Sequence, residues 1–228
     1  ETGLIETLGQ KFQIHPLVLE DSVSTNQRPK FEEYDEGIFI ICRALSFDKT
    51  LVKVKTEQVA IFFKKGLLIS FQEDETDLFS MVRERLKTGN GRIRQRGADY
   101  LAYSLLDNIV DHYFFVVDEI EEVIENLEDK LLGNPDGTIK QQIHHLKKEL
   151  IYTRKSISPL REAINRFSKS DNKVIEERTL VFVRDLYDHT IQIMEMVETY
   201  RDTLNGLQDL QISEISFRMN QVMQILTI

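Results

Sequence analysis

The stretch 183–207, VRDLYDHTIQIMEMVETYRDTLNGL, decides the fold. Val183, Leu186, Thr190, Ile193, Val197, Tyr200, Leu204 and Leu207 alternate three and four residues apart. That spacing turns one stripe of a helix toward a partner helix. The surrounding segment, about 174–228, holds no proline and a single glycine, Gly206. A continuous helix of that length would measure about 80 Å. A compact globule of this chain length has a radius of gyration of only about 17 Å. The helix is therefore expected to project from the body, and its far end needs a partner, either further copies of the chain or a membrane.

Working outward, Ser170-Asp171-Asn172 precedes that helix, and a second helix is expected over 138–168 with a kink at Pro159. Gly133-Asn134-Pro135-Asp136-Gly137 is a strong break. Before it, Leu101, Leu105, Ile109, His112, Val116, Ile120, Val123 and Leu127 keep helical spacing, which predicts a helix over 97–132. No strand pattern recurs after Gly97. Earlier, three strands rich in Ile, Val and Phe are expected at 31–47, 51–64 and 67–72, with a hairpin at Lys64-Lys65-Gly66. A helix is expected over 76–88. Two short helices over 4–24 break at His15-Pro16, and Asn26-Gln27-Arg28-Pro29 marks a turn. The fold class that follows is an α/β N-terminal unit, a partial mixed sheet flanked by helices, and then three long α-helices, the last a projecting stalk. The divisions fall at 1–96, 97–170 and 171–228.

Composition narrows the function. The chain has 228 residues, 41% of them hydrophobic and 29% charged, which suffices for a buried core. A net charge of −9 argues against a nucleic-acid partner, which calls for a basic face. The one cysteine, Cys42, excludes an intrachain disulfide and lies in an apolar run. No apolar run approaches the ~20 residues of a membrane span. The chain starts at Glu1 and stops on Ile225-Leu226-Thr227-Ile228, so both ends read as cuts. No enzyme site emerges. The histidines lack a nucleophile at a recognisable spacing, and Thr88-Gly89-Asn90-Gly91 is not followed by Gly-Lys-Ser/Thr. Arg92, Arg94 and Arg96 form a small basic loop, read as solvated.

Carboxylates carry more information. Asp107 and Asp111 share a helix face, Asp185, Asp188 and His189 form a second group, and Glu20 and Asp21 are adjacent. Magnesium takes oxygen ligands and keeps several waters, so one or two carboxylates can make a site. Such pairs are also common on solvated helices. Asp209, Ser213, Ser216, Asn220, Met223 and Thr227 recur three and four apart. The stripe is either an ordinary solvent face or the lining of a pore made by several copies of the helix.

Several segments together resemble the CorA family of magnesium transport proteins. They are His15-Pro16-Leu17-Val18-Leu19-Glu20-Asp21, Asn26-Gln27-Arg28-Pro29-Lys30, Glu57-Gln58-Val59, and Asp99 through Asp107. Pro159-Leu160-Arg161-Glu162, Arg184 through Thr190 and Asn220-Gln221-Val222-Met223 follow in the same order. The resemblance implies a homopentamer in the inner membrane, with this part on the cytoplasmic side. The missing C-terminal spans would enter the bilayer, and magnesium, with cobalt, would be transported. It further implies an inter-subunit magnesium site between Asp21 of one chain and Asp185 of its neighbour. Glu20, Asp107 and Asp111 would form a second site. Asp209, Ser216, Asn220, Met223 and Leu226 would line the pore. The family's first cytoplasmic strands and its outer Gly-Met-Asn loop are expected beyond this chain. Zinc efflux of the ZntB kind is a related reading, and the heptads alone would also suit a helical scaffold.

Overall fold

The computed structural model describes residues 2–25, 27–89, 91–133 and 138–226. Two short helices, α1 (Thr2–Phe12) and α2 (Pro16–Val23), lead into strands β1 (Lys30–Tyr34), β2 (Gly37–Asp48), β3 (Lys53–Lys64) and β4 (Leu67–Gln72). Helix α3 (Ser80–Thr88) follows, then α4 (Ala98–Gly133), α5 (Ile139–Ser168) and α6 (Glu177–Leu226). The strands form a meander in the order β1-β2-β3-β4, antiparallel at every pairing among the described residues. The parallel pairing of a mixed sheet is thus not among them.

The sheet buries both faces. Ile38, Ile40 and Cys42 on β2, with Val59, Ile61 and Phe63 on β3, point to the side covered by α4 and α5. The alternate residues Phe39, Ile41, Ala60 and Phe62 face α1 and α2 through Ile14 and Val18. Period-two side-chain alternation makes this division unavoidable. It also explains the near-continuous apolar run of β2, since a strand buried on both faces has no solvent side to mark with polar residues.

The hairpin at Lys65-Gly66 is present, with Lys64 opposite Leu67 and Gly66 at φ +76°. The strand expected over 31–47 is instead two strands. The chain reverses at Asp35-Glu36, and Tyr34 pairs with Gly37. A Cβ on Gly37 would lie 2.7 Å from the Phe63 carbonyl oxygen, so glycine permits the close approach of β3 at that corner. Helix α3 starts at Ser80, later than expected, after a turn in which the Leu78 N–H bonds the Thr76 carbonyl. Helix α5 is continuous through Pro159. The β2–β3 turn is tied to α5. The buried Glu149 carboxylate accepts from Val54 N at 2.8 Å, and His145 Nε2 lies 2.7 Å from the Val52 carbonyl.

The three long helices form the larger body, with α6 packed on both α4 and α5. All eight stripe positions, Val183 through Leu207, are buried. The N-terminal ends of α4 and α6 are clasped together. Asp99, itself buried, accepts from Glu176 N at 2.9 Å. Arg96 is not a free member of a solvated basic loop. Its guanidinium lies 4.8 Å from the Tyr100 ring and 5.0 Å from that of Phe182, and it donates to the Arg178 carbonyl at 3.1 Å. Beyond Gln211 no described residue of α6 is buried.

Candidate functional site

Helix α2 exists because Pro16 suits a first helical turn and His15 caps it, Nδ1 accepting from Leu17 N at 3.2 Å. Val18 anchors the inner face of α2. Glu20 is consequently exposed, and Asp21 half-buried at the edge. Gln58, a buried amide on β3, stitches this region to the sheet. Its Nε2 donates to the Ser24 carbonyl at 2.8 Å and the Asp21 carbonyl at 3.3 Å, while its Oε1 accepts from Gln27 N at 3.1 Å.

The Asp21 carboxylate has partners on both oxygens. Oδ1 accepts from Gln27 Nε2 at 2.8 Å, and Oδ2 lies 2.7 Å from Lys30 Nζ. Lys30 also reaches Glu32 Oε2 at 2.8 Å. Partial burial disfavours the charge on Lys30, but the hydrogen bonds to Asp21 and Glu32 outweigh it and raise its pKa. Tyr34, whose hydroxyl donates to Glu32 at 2.9 Å, is pushed up to about 12 by burial and by that bond.

The other carboxylates meet across the α4–α6 seam. Burial lifts the Asp107 carboxyl above its ordinary value, and the charge on Asp111 lifts it further. Tyr103, His189 and Arg85 act in the opposite direction. Burial pushes the Tyr103 hydroxyl up, with Asp107 and Asp185 adding to the shift. Asp107 and Asp111 on α4 thus share one electrostatic neighbourhood with Asp185 and His189 on α6. The sequence presents these as two separate groups. His189 Nε2 is 4.0 Å from Asp185 Oδ2, too long for a hydrogen bond, and the Asp185 side chain is 71% exposed. Asp188 points to solvent. Among the described residues no three His, Cys, Asp or Glu side chains gather closely enough to hold a metal ion within one chain.

Asp21 and Asp185 stand apart within the chain. Helix α2 lies over the sheet face made by Phe39, Ile41, Ala60 and Phe62, whereas α6 packs on the helices that cover the other face. At the far end of α6, Asp209, Ser216, Asn220 and Met223 are all exposed. So are the apolar side chains Ile212, Ile215, Phe217, Met219, Val222 and Ile225. The backbone of Leu226 ends the helix, and its side chain lies outside the described residues, as does all of Thr227. No helix among the described residues is long and apolar enough to cross a membrane.

Comparison with known proteins agrees with this architecture. The family model for CorA-like Mg2+ transporter proteins matches residues 1–228. The cobalt/magnesium transport protein CorA of Thermotoga maritima is 42% identical over 227 residues, covering 100% of this chain and 65% of that protein. A putative metal ion transporter of Bacillus subtilis, YfjQ, is 32% identical over 228 residues, covering 100% of the chain and 69% of the relative. The complete structure of the CorA magnesium transporter from Methanocaldococcus jannaschii superposes with a TM-score of 0.83 at 26% identity. That match covers 100% of this chain and 71% of the transporter. The chain belongs to the family of CorA-like Mg2+ transporter proteins, and it spans about two thirds of the length of these relatives.

Proposed function

We propose that this chain is the cytoplasmic sensor and gating part of a magnesium channel of the inner membrane. In this reading residues 1–96 form the sensing unit, 97–170 a helical support and 171–228 the stalk leading to the first membrane span. Five copies surround a central path. Asp21 of each faces Asp185 of its neighbour across a hydrated magnesium ion, and Glu20, Asp107 and Asp111 contribute a second, water-mediated site. Asp209, Ser216, Asn220, Met223 and Leu226 line the path, which carries magnesium and cobalt.

The observation that carries this reading is the separation of Asp21 from Asp185. The two carboxylates stand on different sides of the sheet, so in this reading they meet between two copies rather than within one. Two carboxylates about 4 Å apart repel by about 4 kcal/mol at an effective dielectric near 20. A divalent ion between them reverses the sign. The assembled, closed arrangement then binds magnesium better than an open one, and that difference alone lets the ion shift the balance. The grouped ligands are oxygens apart from His189, which suits magnesium better than zinc.

The test is the current of the full-length protein against cytoplasmic magnesium. Asp21→Asn and Asp185→Asn should each require more magnesium for closure, and the double variant should differ little from the more affected single one. Closure at the parental magnesium concentration in both variants overturns the assignment.

A further inference from the structure

The Asp21 carboxylate already holds a cation. Lys30 Nζ sits 2.7 Å from Oδ2, and the pair is half-buried, with side chains 26% and 19% exposed. The ammonium also lies over the Phe39 ring, 5.9 Å from its centroid. Neither partner is on a loose segment. Lys30 opens β1 and is registered against Ile41 of β2, while Gln58 binds the Asp21 carbonyl from β3. A third group completes the arrangement. Glu32 Oε2 stands 2.8 Å from the same ammonium and is steadied by the Tyr34 hydroxyl at 2.9 Å. Lys30 therefore bridges two carboxylates and keeps a partner if either one is taken away.

We propose that Lys30 is a tethered competitor for Asp21 that sets the concentration at which divalent cations fill the sensor. It rests on the sensor reading of Asp21 and adds a threshold to it. An arriving hydrated ion must displace the ammonium from Asp21, and Glu32 supplies the position to which Lys30 withdraws. The exchange favours doubly charged ions. A monovalent cation offers Asp21 the same charge as the ammonium it would displace, without the covalent tether that keeps Lys30 close. A divalent ion brings twice the charge to the same carboxylate. The compact, flexible-stemmed ammonium of lysine suits this role, whereas an arginine fork would hold the carboxylate through two bonds.

The inference is tested in the full-length protein by recording current against cytoplasmic magnesium. Lys30→Gln removes the competitor and leaves Asp21 more exposed to the incoming ion, so half-closure should occur at about tenfold lower magnesium. Lys30→Arg keeps the charge and should not move half-closure to lower magnesium. In an Asp21→Asn background, Lys30→Gln should add nothing, because its effect runs through that carboxylate. An unchanged midpoint in Lys30→Gln, beside a shifted one in Asp21→Asn, overturns the competitor role and leaves the sensor standing. A rise in the midpoint would mean that Lys30 orients Asp21 for the ion, which also overturns it. An equal shift in the Asp21→Asn background would reduce Lys30 to a general surface charge. If Asp21→Asn itself has no effect, the sensor reading fails first.

Discussion

Helix α6 is one unbroken helix with two kinds of surface. From Val183 to Gln211 it presents a buried stripe to α4 and α5. From Ile212 onward it carries at least as many large apolar side chains per turn, and none of those described is buried. Apolar content therefore does not distinguish the two parts. The difference lies in what stands opposite. The first part has two helices of its own chain against it, and the second outruns both. A helix fifty residues long is about 75 Å, while α4 and α5, at 36 and 30 residues, are about 54 and 45 Å.

Substitutions along α6 would sharpen or break this contrast. The largest effect is expected in the packed part. Leu204→Ala empties a fully buried position and should cost about 2–5 kcal/mol, read as a lower denaturation midpoint of the chain. A loss under about 1 kcal/mol would mean that the stripe is not tightly packed. Gly206→Ala should act in the opposite direction. A Cβ there meets no atom within 4 Å, so the change should stabilise by about 1 kcal/mol.

A pH-dependent effect comes next. The Asp107 pKa is raised in the folded chain, chiefly by burial, so folding favours its protonated form. Its favourable contribution is full below the unfolded value near 3.8 and is lost as pH rises through the higher folded value. Asp107→Asn should therefore raise the unfolding midpoint at pH 7, with the gain vanishing below about pH 4. An equal gain at both pH values would remove the electrostatic explanation. The smallest effects belong to the outer part. Ile215→Ala and Met219→Ala should change the stability of the isolated chain by less than about 0.5 kcal/mol. A loss comparable to that of Leu204→Ala would erase the contrast.

Much of this was legible in advance, for a physical reason. Helical periodicity is a local signal, and each of the eight positions read from Val183 to Leu207 is buried. The β3–β4 hairpin was legible because Gly66 punctuates it. The β1–β2 corner was not, because Asp35-Glu36 looks like one polar interruption in a continuing strand. Site residues divide in the same way. Asp107 with Asp111, and Asp185 with His189, could be grouped along single helices. Their meeting across α4 and α6 depends on which helix faces pack, which spacing does not encode. The pairing of Lys30 with Asp21 leaves only a faint mark in the sequence, an opposite charge nine residues on at the start of a strand. Arg96 is the opposite case. Nothing local ties it to Phe182, 86 positions away in the chain.

The clasp formed by Asp99 and Arg96 gives α6 a mechanical character. One end of a long stiff rod is pinned, and beyond Gln211 none of its described side chains is buried. From Asp185 to Met223 is 38 residues, about 57 Å of helix. A tilt of about 2° of the packed helices as one body would sweep the far end through about 2 Å. Such a lever needs no large rearrangement near its fulcrum, only a rod that does not bend along the way.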